Sequence, residues 1–162
     1  MKVHDVMTKN PVTIAADATV REASSTLRTH RIGGLPVMDG GIVVGMVTES
    51  DILALLKTGE LTDDLWLPSP LEVIEVPIRE WLNWERTQHA LTNIGDLPVR
   101  RVMSQPVITA EEDWEIEQAA SVMLREGVAR LPVVRDGSLT GIVTREDLVF
   151  GLSASGEEGA SE

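Results

Sequence analysis

The sequence predicts an α/β fold made of two copies of one half-domain. The segment from Gly45 to Asp51 returns almost unchanged from Gly141 to Asp147, a constant 96 positions later. In each copy the apolar periodicity indicates the order strand, helix, strand, strand, helix. Two units are too few for a solenoid, which needs at least about three. We therefore expect two pseudo-twofold-related βαββα half-domains packed sheet to sheet around one core.

The same offset holds along both copies. It pairs Leu35-Pro36-Val37 with Leu131-Pro132-Val133, Gly41 with Gly137, Ala23 with Ala119, Asp17 with Asp113, and Val6-Met7 with Val102-Met103. A slip of one residue occurs only where Asn10-Pro11-Val12 faces Gln105-Pro106-Val107. We divide the chain into copy one (1–56), an insert (57–98), copy two (99–152) and a tail (153–162).

Each copy carries local signals for its elements. A strand is predicted at Val12–Ile14, followed by a helix capped by Asp17 or Thr19. In copy two the cap is Asp113 or Glu115. The apolar faces of the two helices are predicted to be Val20, Ala23 and Leu27 in copy one, and Ile116, Ala119 and Met123 in copy two.

A hairpin and a last helix complete each copy. The hairpin strands are predicted at Leu35–Met38 and Ile42–Val47, and at Leu131–Val134 and Leu139–Val143. Their turns, Asp39-Gly40-Gly41 and Asp136-Gly137, contain residues that accept a positive φ. The last helix of copy one opens at Thr48-Glu49-Ser50-Asp51 and continues through Ile52, Leu55 and Leu56.

The insert differs from both copies in its aromatic content. It holds Trp66, Trp81 and Trp84, an extended segment at Leu65–Pro70 and a helix predicted from Pro77 to Gly95. Two interpretations stay open for it: a structural clasp that buries its indoles, or a contact with a subunit or partner. The small, polar and acidic tail is expected to be disordered.

Composition excludes several classes of protein. The 162 residues contain no cysteine, so neither disulfides nor thiolate chemistry is available. No signal segment and no run of about 18 apolar residues occurs, which predicts a cytoplasmic protein with no membrane partner. A net charge of −12 without a basic run disfavours nucleic-acid binding.

The sequence offers no apparatus for catalysis or for metal binding. His4, His30 and His89 are scattered and share no ligand spacing with carboxylates. Neither a nucleophile elbow nor a phosphate-binding glycine loop of the Walker type is present. We therefore expect no catalytic residue, no metal and no required cofactor.

The repeated Thr-x-x-Asp motif, Thr48 to Asp51 and Thr144 to Asp147, allows two interpretations that can hold together. A threonine followed three residues later by an acid caps a helix, a contribution of about 1 kcal/mol. A carboxylate at a strand-to-helix junction can also accept the hydroxyls of a ribose, while the helix N-terminus favours phosphate.

The ordered set Val-Met-(Thr/Ser), Pro-Val, Leu-Pro-Val, Asp-Gly and Gly-x-Val-Thr-x-x-Asp, present twice, resembles a pair of cystathionine β-synthase (CBS) domains, the Bateman module. The resemblance covers both copies and leaves out the insert and the tail. It implies clefts that bind adenosine compounds such as AMP, ADP, ATP or S-adenosylmethionine and that report their level to a protein partner. It also favours a homodimer formed through helices.

The resemblance further implies which residues line each cleft. Cleft A combines Thr8, Val12, Thr13, Ile32 and Gly33 with Arg130, Thr144 and Asp147. Cleft B combines Ser104, Val107, Ile108, Val128 and Ala129 with Gly34, Thr48 and Asp51. Backbone groups would contact the adenine edge, aliphatic side chains would sandwich its ring, and each aspartate would hold the ribose.

The copies differ two residues before the proline of Leu-Pro-Val, where copy two has Arg130 and copy one has Gly34. Arginine suits phosphate because of its fixed fork of donors, so the clefts should be unequal. The alternative is a surface charge that pairs with Asp136 or Glu126. At the level of function, the rival to a ligand sensor is a structural module that assembles through the insert with empty clefts; an enzyme acting on a nucleotide has no support beyond the pocket.

Overall fold

The structure is a computed structural model, and it describes residues 1–57 and 93–155. The insert tryptophans Trp66, Trp81 and Trp84, on which the clasp and partner-contact interpretations rest, lie outside the described residues, as does the extended segment predicted at Leu65–Pro70. Of the helix predicted to end at Gly95, only residues 93–96 are described, and they are helical. The helix therefore continues one residue past Gly95. At Gly95 itself, the guanidinium of Arg21 occupies the space that a Cβ would need.

From the first predicted strand onward, the elements of copy one follow the predicted order, and a short helix and a short strand that were not predicted precede them. They are α1 (Val3–Val6), β1 (Thr8–Lys9), β2 (Ile14–Ala15), α2 (Val20–His30), β3 (Gly34–Asp39), β4 (Ile42–Thr48) and α3 (Glu49–Lys57). Copy two contains a 3-10 turn (Val99–Arg101), β5 (Ala110–Glu111), α4 (Ile116–Glu126), β6 (Arg130–Arg135), β7 (Ser138–Thr144) and α5 (Arg145–Ser155).

The described strands form a four-stranded sheet in the order β1-β7-β6-β5 and a three-stranded sheet in the order β2-β3-β4. In the larger sheet β1 and β6 run antiparallel to β7, whereas β5 runs parallel to β6. The mixed α/β fold expected from the sequence is confirmed.

Two boundaries differ from the prediction. The first strand was predicted at Val12–Ile14 but spans Ile14–Ala15, because pairing starts at Ile14, the residue that turns into the core (7% exposed). At the other end, α5 continues to Ser155, three residues into the stretch expected to form the tail. Residues 156–162 lie outside the described part.

The predicted cap of α2 and the predicted hairpin turns are confirmed, whereas the side-chain cap predicted for α4 does not form. Thr19 caps α2 by accepting the Glu22 N–H at 3.2 Å, and Glu22 accepts the Thr19 N–H at 2.7 Å. Glu115 precedes α4 without a side-chain cap. A hydrogen bond from the Met1 ammonium, followed by one from Lys2, lowers the pKa of the Glu115 carboxyl. Positive φ values occur in the turns, at Gly40 and Gly41 and at Asp136 and Gly137.

The chain divides into two compact units that cut across the two copies. Within the described residues, the first unit comprises 1–14, 36–45 and 105–155, and the second comprises 15–35, 46–57 and 93–104. The first unit therefore includes the leading segment of copy one, and the second includes that of copy two.

Backbone hydrogen bonds hold these leading segments in place. In the first unit the Val3 N–H donates to the Trp114 carbonyl at 2.9 Å. In the second unit the Val99 N–H donates to the Ala18 carbonyl at 2.7 Å. These bonds are the same contact displaced by 96 positions, so each copy completes its helical layer with the first residues of the other.

The predicted apolar faces are buried. In the second unit α2 buries Val20, Ala23 and Leu27. The core of the first unit contains Val3, Ala110, Ile116, Ala119, Val122, Met123, Leu131, Val133, Val143 and Leu148. The face predicted for α4 is therefore correct.

Candidate ligand-binding sites

The Thr-x-x-Asp motif of the first unit forms the start of α5. Asp147 Oδ2 accepts the backbone N–H of Thr144 at 2.8 Å and its hydroxyl at 2.8 Å. Thr144 Oγ1 in turn accepts the Asp147 N–H at 3.2 Å. The capping role considered from the sequence is thus present. Both side chains remain half-buried, so the carboxylate still reaches solvent.

The motif of the second unit repeats this geometry. Asp51 Oδ2 accepts the Thr48 N–H at 2.8 Å and the Thr48 hydroxyl at 2.9 Å. The Asp51 N–H donates to Thr48 Oγ1 at 3.3 Å. In both units, then, one carboxylate oxygen belongs to the cap and the other is left for a further donor.

The second carboxylate oxygens of the two aspartates are not equivalent, because Ser104 Oγ donates a hydrogen bond to Asp51 Oδ1 at 3.0 Å. Ser104 is held in place by reciprocal backbone bonds with Met46, at 2.8 and 3.2 Å. In the first unit Thr8 occupies the matching position opposite Ile142. Within residues 1–57 and 93–155, its hydroxyl does not bond to Asp147, and no donor occupies Asp147 Oδ1.

Arg130 lies beside the first of these motifs. It begins β6, and its ladder partner on β7 is Thr144. Within the described part of the chain Arg130 forms no ion pair, and Glu126, one of its suggested partners, instead binds Arg125 Nε at 2.7 Å. The side chain of Arg130 is half-buried. Gly34, its counterpart in copy one, is buried and begins β3.

Main-chain bonds place other predicted residues next to the motifs. The Arg145 N–H donates to the Ala129 carbonyl at 3.0 Å, and its guanidinium Nε donates to the Val128 carbonyl at 3.2 Å. In the second unit the Glu49 N–H donates to the Gly33 carbonyl at 3.2 Å. Each loop before a Leu-Pro-Val strand is therefore fixed to the helix start within its own unit.

The aliphatic residues predicted to sandwich a base have suitable exposure. Val12, Ile32, Val107, Ile108 and Val128 are all half-buried, whereas Thr13 and Ala129 are exposed. Ile108 and Val128 pack against the core of the first unit. A half-buried aliphatic side chain can contact a flat ring on its open side, although the same exposure is common at the edge of any core.

The predicted residues fall into both units. Thr8, Val12, Thr13, Val107, Ile108, Val128, Ala129, Arg130, Thr144 and Asp147 belong to the first, and Ile32, Gly33, Gly34, Thr48, Asp51 and Ser104 belong to the second. Thr144, Asp147 and Arg130 lie close together, as do Thr48, Asp51 and Ser104. The assembly of clefts A and B from both units stays a prediction.

Sequence reasoning missed a cavity of about 310 Å³ in the first unit. Its lining residues are His4, Met7, Lys9, Asn10, Glu112, Arg135 and Thr140. Glu112 departs from the repeat, because its counterpart 96 positions earlier is the apolar Ala16. This difference between the copies was the sequence signal that could have pointed to the cavity.

In residues 1–57 and 93–155, no three His, Cys, Asp or Glu side chains are grouped as metal ligands would be. None of the helices in these ranges is long and apolar enough to cross a membrane.

The chain is similar to several known proteins. It is 39% identical over 154 residues to the uncharacterized protein MJ1426 of Methanocaldococcus jannaschii, which covers 94% of this chain and 91% of that protein. The CBS domain pair of protein MJ0100, in complex with 5′-methylthioadenosine and S-adenosyl-L-methionine, has a TM-score of 0.69 and 25% identity, over 96% of this chain and 98% of that one.

A second solved structure is CBSX2 in complex with AMP, with a TM-score of 0.67 and 26% identity, over 96% of this chain and 98% of that one. The family model of the CBS domain matches residues 3–58 and 99–154. These segments are the two copies recognised in the sequence. The chain therefore belongs to the CBS domain family and carries a tandem pair of CBS domains.

Proposed function

We propose that this CBS pair is a sensor that binds an adenosine-containing ligand, AMP, ADP, ATP or S-adenosylmethionine, and passes its level to a protein partner. The observation that carries the proposal is the carboxylate of Asp147, which has one oxygen in the helix cap and the other free beside Arg130. A module of this family is regulatory rather than catalytic, and the structural relatives MJ0100 and CBSX2 hold adenosine ligands.

The chemistry of the Asp147 site suits a nucleotide. A carboxylate oxygen has room for hydrogen bonds from ribose hydroxyls, and such charge-assisted bonds contribute about 1.5 to 3 kcal/mol. Arg130 offers donors in the planar fork that recognises phosphate. On a chain of net charge −12, an arginine that pairs with no acid among the described residues provides the local reversal of sign that an anion requires.

The Asp51 site is proposed to be the weaker one, for two reasons. Its counterpart of Arg130 is Gly34, so it lacks a cation at that position. In addition, Ser104 already donates to the oxygen that a ribose would use. This site should accept neutral or cationic adenosine compounds or stay empty.

Two measurements test the proposal. Ligand carried through purification is released by denaturation and identified by mass spectrometry. Stripped protein is then titrated with AMP, ATP, S-adenosylmethionine and adenosine in a calorimeter. Saturable binding of at least one adenosine compound is expected. If guanosine compounds bind equally well, or if none of the four binds, the sensor proposal is wrong.

A second candidate function is assembly without ligand, and the exposed face of α5 favours it. Val149, Phe150 and Leu152 are 68%, 75% and 58% exposed. Helix-mediated homodimerisation would cover such a face, and exposed apolar patches commonly mark contacts between proteins. Dimer formation is compatible with ligand sensing, whereas a dimer with no adenosine affinity would leave assembly as the function.

A further inference from the structure

The cavity of the first unit holds the one buried charged side chain found in residues 1–57 and 93–155, Glu112, whose side chain is 8% exposed. Glu112 forms an ion pair with Arg135, and its backbone carbonyl accepts a hydrogen bond from His4 Nδ1 at 3.0 Å. Burial of the Glu112 carboxylate costs free energy, and an ion pair with an arginine that is 66% exposed offsets that cost only in part. The pair therefore calls for an explanation other than stability.

The internal repeat supplies a comparison within the same chain. At the positions matching Glu112, Arg135 and Thr140, copy one has Ala16, Asp39 and Val44. Ala16 is buried there at 2% exposure, so this fold accepts an alanine at the position. The ion pair and the hydroxyl thus belong to copy two alone and are not requirements of the repeated fold.

The sheet separates this cavity from the Asp147 site. Side chains alternate between the two faces of a strand, so Leu131, Val133 and Arg135 share one face of β6, and Arg130 lies on the other. Leu131 and Val133 belong to the core, so Arg135 projects on the helix-covered side. Arg130 and Arg135 also occupy opposite ends of β6. The cavity is a separate site.

Two backbone irregularities lie at residues that line the cavity. Thr140 is the extra residue of a bulge, since Val133 pairs with Gly141 and Val134 with Leu139. The one-residue slip between the copies falls beside Lys9, and the neighbouring Asn10 has φ 50°. The Asn10 N–H donates to the Thr140 carbonyl at 3.2 Å, which joins the two irregular points.

The charges of the lining favour an oxyanion. One guanidinium nitrogen of Arg135 binds Glu112, and the side chain is 66% exposed. The other N–H donors of the guanidinium therefore remain available to a ligand. Lys9 has no ion-pair partner within the described residues. The lining thus carries two cations, Lys9 and Arg135, and one carboxylate, Glu112, which is already bonded to Arg135. The nearby Asp5 carboxylate is engaged by His4 Nε2 at 3.2 Å. The net charge of the cavity lining is therefore positive.

We infer that this cavity binds the carboxylate or phosphate group of a small metabolite, with Lys9 and Arg135 as the two cations and Glu112 as the residue that positions Arg135. The volume of about 310 Å³ suits a compact ligand, at the lower end of the range for small-molecule pockets. The site does not depend on adenosine binding.

The test is a titration of the full chain, followed by the backbone amide signals of Lys9, Asn10 and Thr140 in NMR spectra at constant ionic strength. Inorganic phosphate and succinate are the two probes, and sodium chloride is the reference salt. Saturable shifts of these amides with either probe are expected. Saturation with succinate alone assigns the site to carboxylates, and saturation with phosphate alone assigns it to phosphorylated compounds.

Two variants and one control sharpen the test. Lys9→Ala should lower the affinity for the probe by about tenfold or more, because it removes a charge-assisted contact. The double variant Glu112→Ala/Arg135→Asp installs residues that copy one already accommodates, and it should also abolish saturation. Arg28→Ala removes the same charge from an exposed position of α2 and should change nothing.

Two results would overturn the inference. One is a linear response to both probes that equals the response to sodium chloride. The other is an affinity of Lys9→Ala equal to that of Arg28→Ala.

Discussion

Ser104 Oγ donates a hydrogen bond to Asp51 Oδ1 at 3.0 Å, and the matching oxygen of Asp147 receives none from residues 1–57 and 93–155. Two motifs that share the same threonine and aspartate thus differ in the acceptors they offer to a ligand. The difference arises from a residue 53 positions away from Asp51 along the chain. It gives the proposed asymmetry of the two sites a structural cause besides Arg130.

Asp147→Ala should weaken adenosine-ligand binding about ten- to a hundredfold, because a hydrogen bond to a charged group contributes about 1.5 to 3 kcal/mol. The same change should lower the free energy of unfolding by only about 1 kcal/mol, the value of a cap. Calorimetry measures the first effect and thermal melting the second. Glu146→Ala, an exposed acid one residue earlier, is the matched control. Unchanged affinity with reduced stability would leave Thr144 and Asp147 as a capping box alone.

Ser104→Ala should strengthen binding at the Asp51 site about two- to tenfold, because it removes a protein donor that competes with the ribose. The effect is best measured in an Asp147→Ala background, where the other site is weakened and the binding signal comes from the Asp51 site. Thr8→Ala, in the matching position of the other unit, should not strengthen binding. A loss of affinity on Ser104→Ala would instead mean that the hydroxyl contacts the ligand.

Arg130→Ala should cost AMP or ATP roughly ten- to a hundredfold in affinity and should cost adenosine little. The physical reason is that only the phosphorylated ligands receive the charge-assisted bonds of the guanidinium. Titration of AMP and adenosine against both proteins gives the comparison. Equal losses of affinity for the two ligands would indicate that Arg130 shapes the fold. Unchanged affinity for both would indicate that its side chain faces solvent and does not contact the ligand.

Phe150→Asp should convert a homodimer to a monomer, because its side chain is 75% exposed on the apolar face of α5 and a charge there cannot be buried unpaired. Light scattering gives the mass, and thermal melting shows whether the fold is retained. Leu124→Asp on α4, also at a 75% exposed position, is the control for added charge. If both variants keep the mass of the wild type, the face of α5 is not the subunit contact.

The local features of the fold were predictable from the sequence because their causes lie within a few residues. Thr19 caps α2 through Glu22, three residues away, and Asp136 and Gly137 turn the hairpin through their own φ values. The buried faces of α2 and α4 follow from helical periodicity. The pairing of Thr48 with Asp51 is local in the same sense.

The repeat made the family recognisable and placed the candidate residues in a definite order. It could not place the leading segments, since Val3 and Val99 occupy equivalent positions of the two copies and the pattern does not say which copy each one packs against. Their positions depend on hydrogen bonds to Trp114 and Ala18, on distant parts of the chain. Similarly, the start of β2 at Ile14 depends on where the neighbouring strand begins to pair.

The sequence by itself determined the two copies, their element order and the caps, because local backbone preferences and apolar spacing specify these over short distances. Only the tertiary structure decided that Ser104 reaches Asp51 and that Glu112 and Arg135 meet beside Lys9 in a cavity. These contacts join residues 53 and 23 positions apart. Periodicity carries no information about such pairs, because the geometry of the packed sheet brings them together.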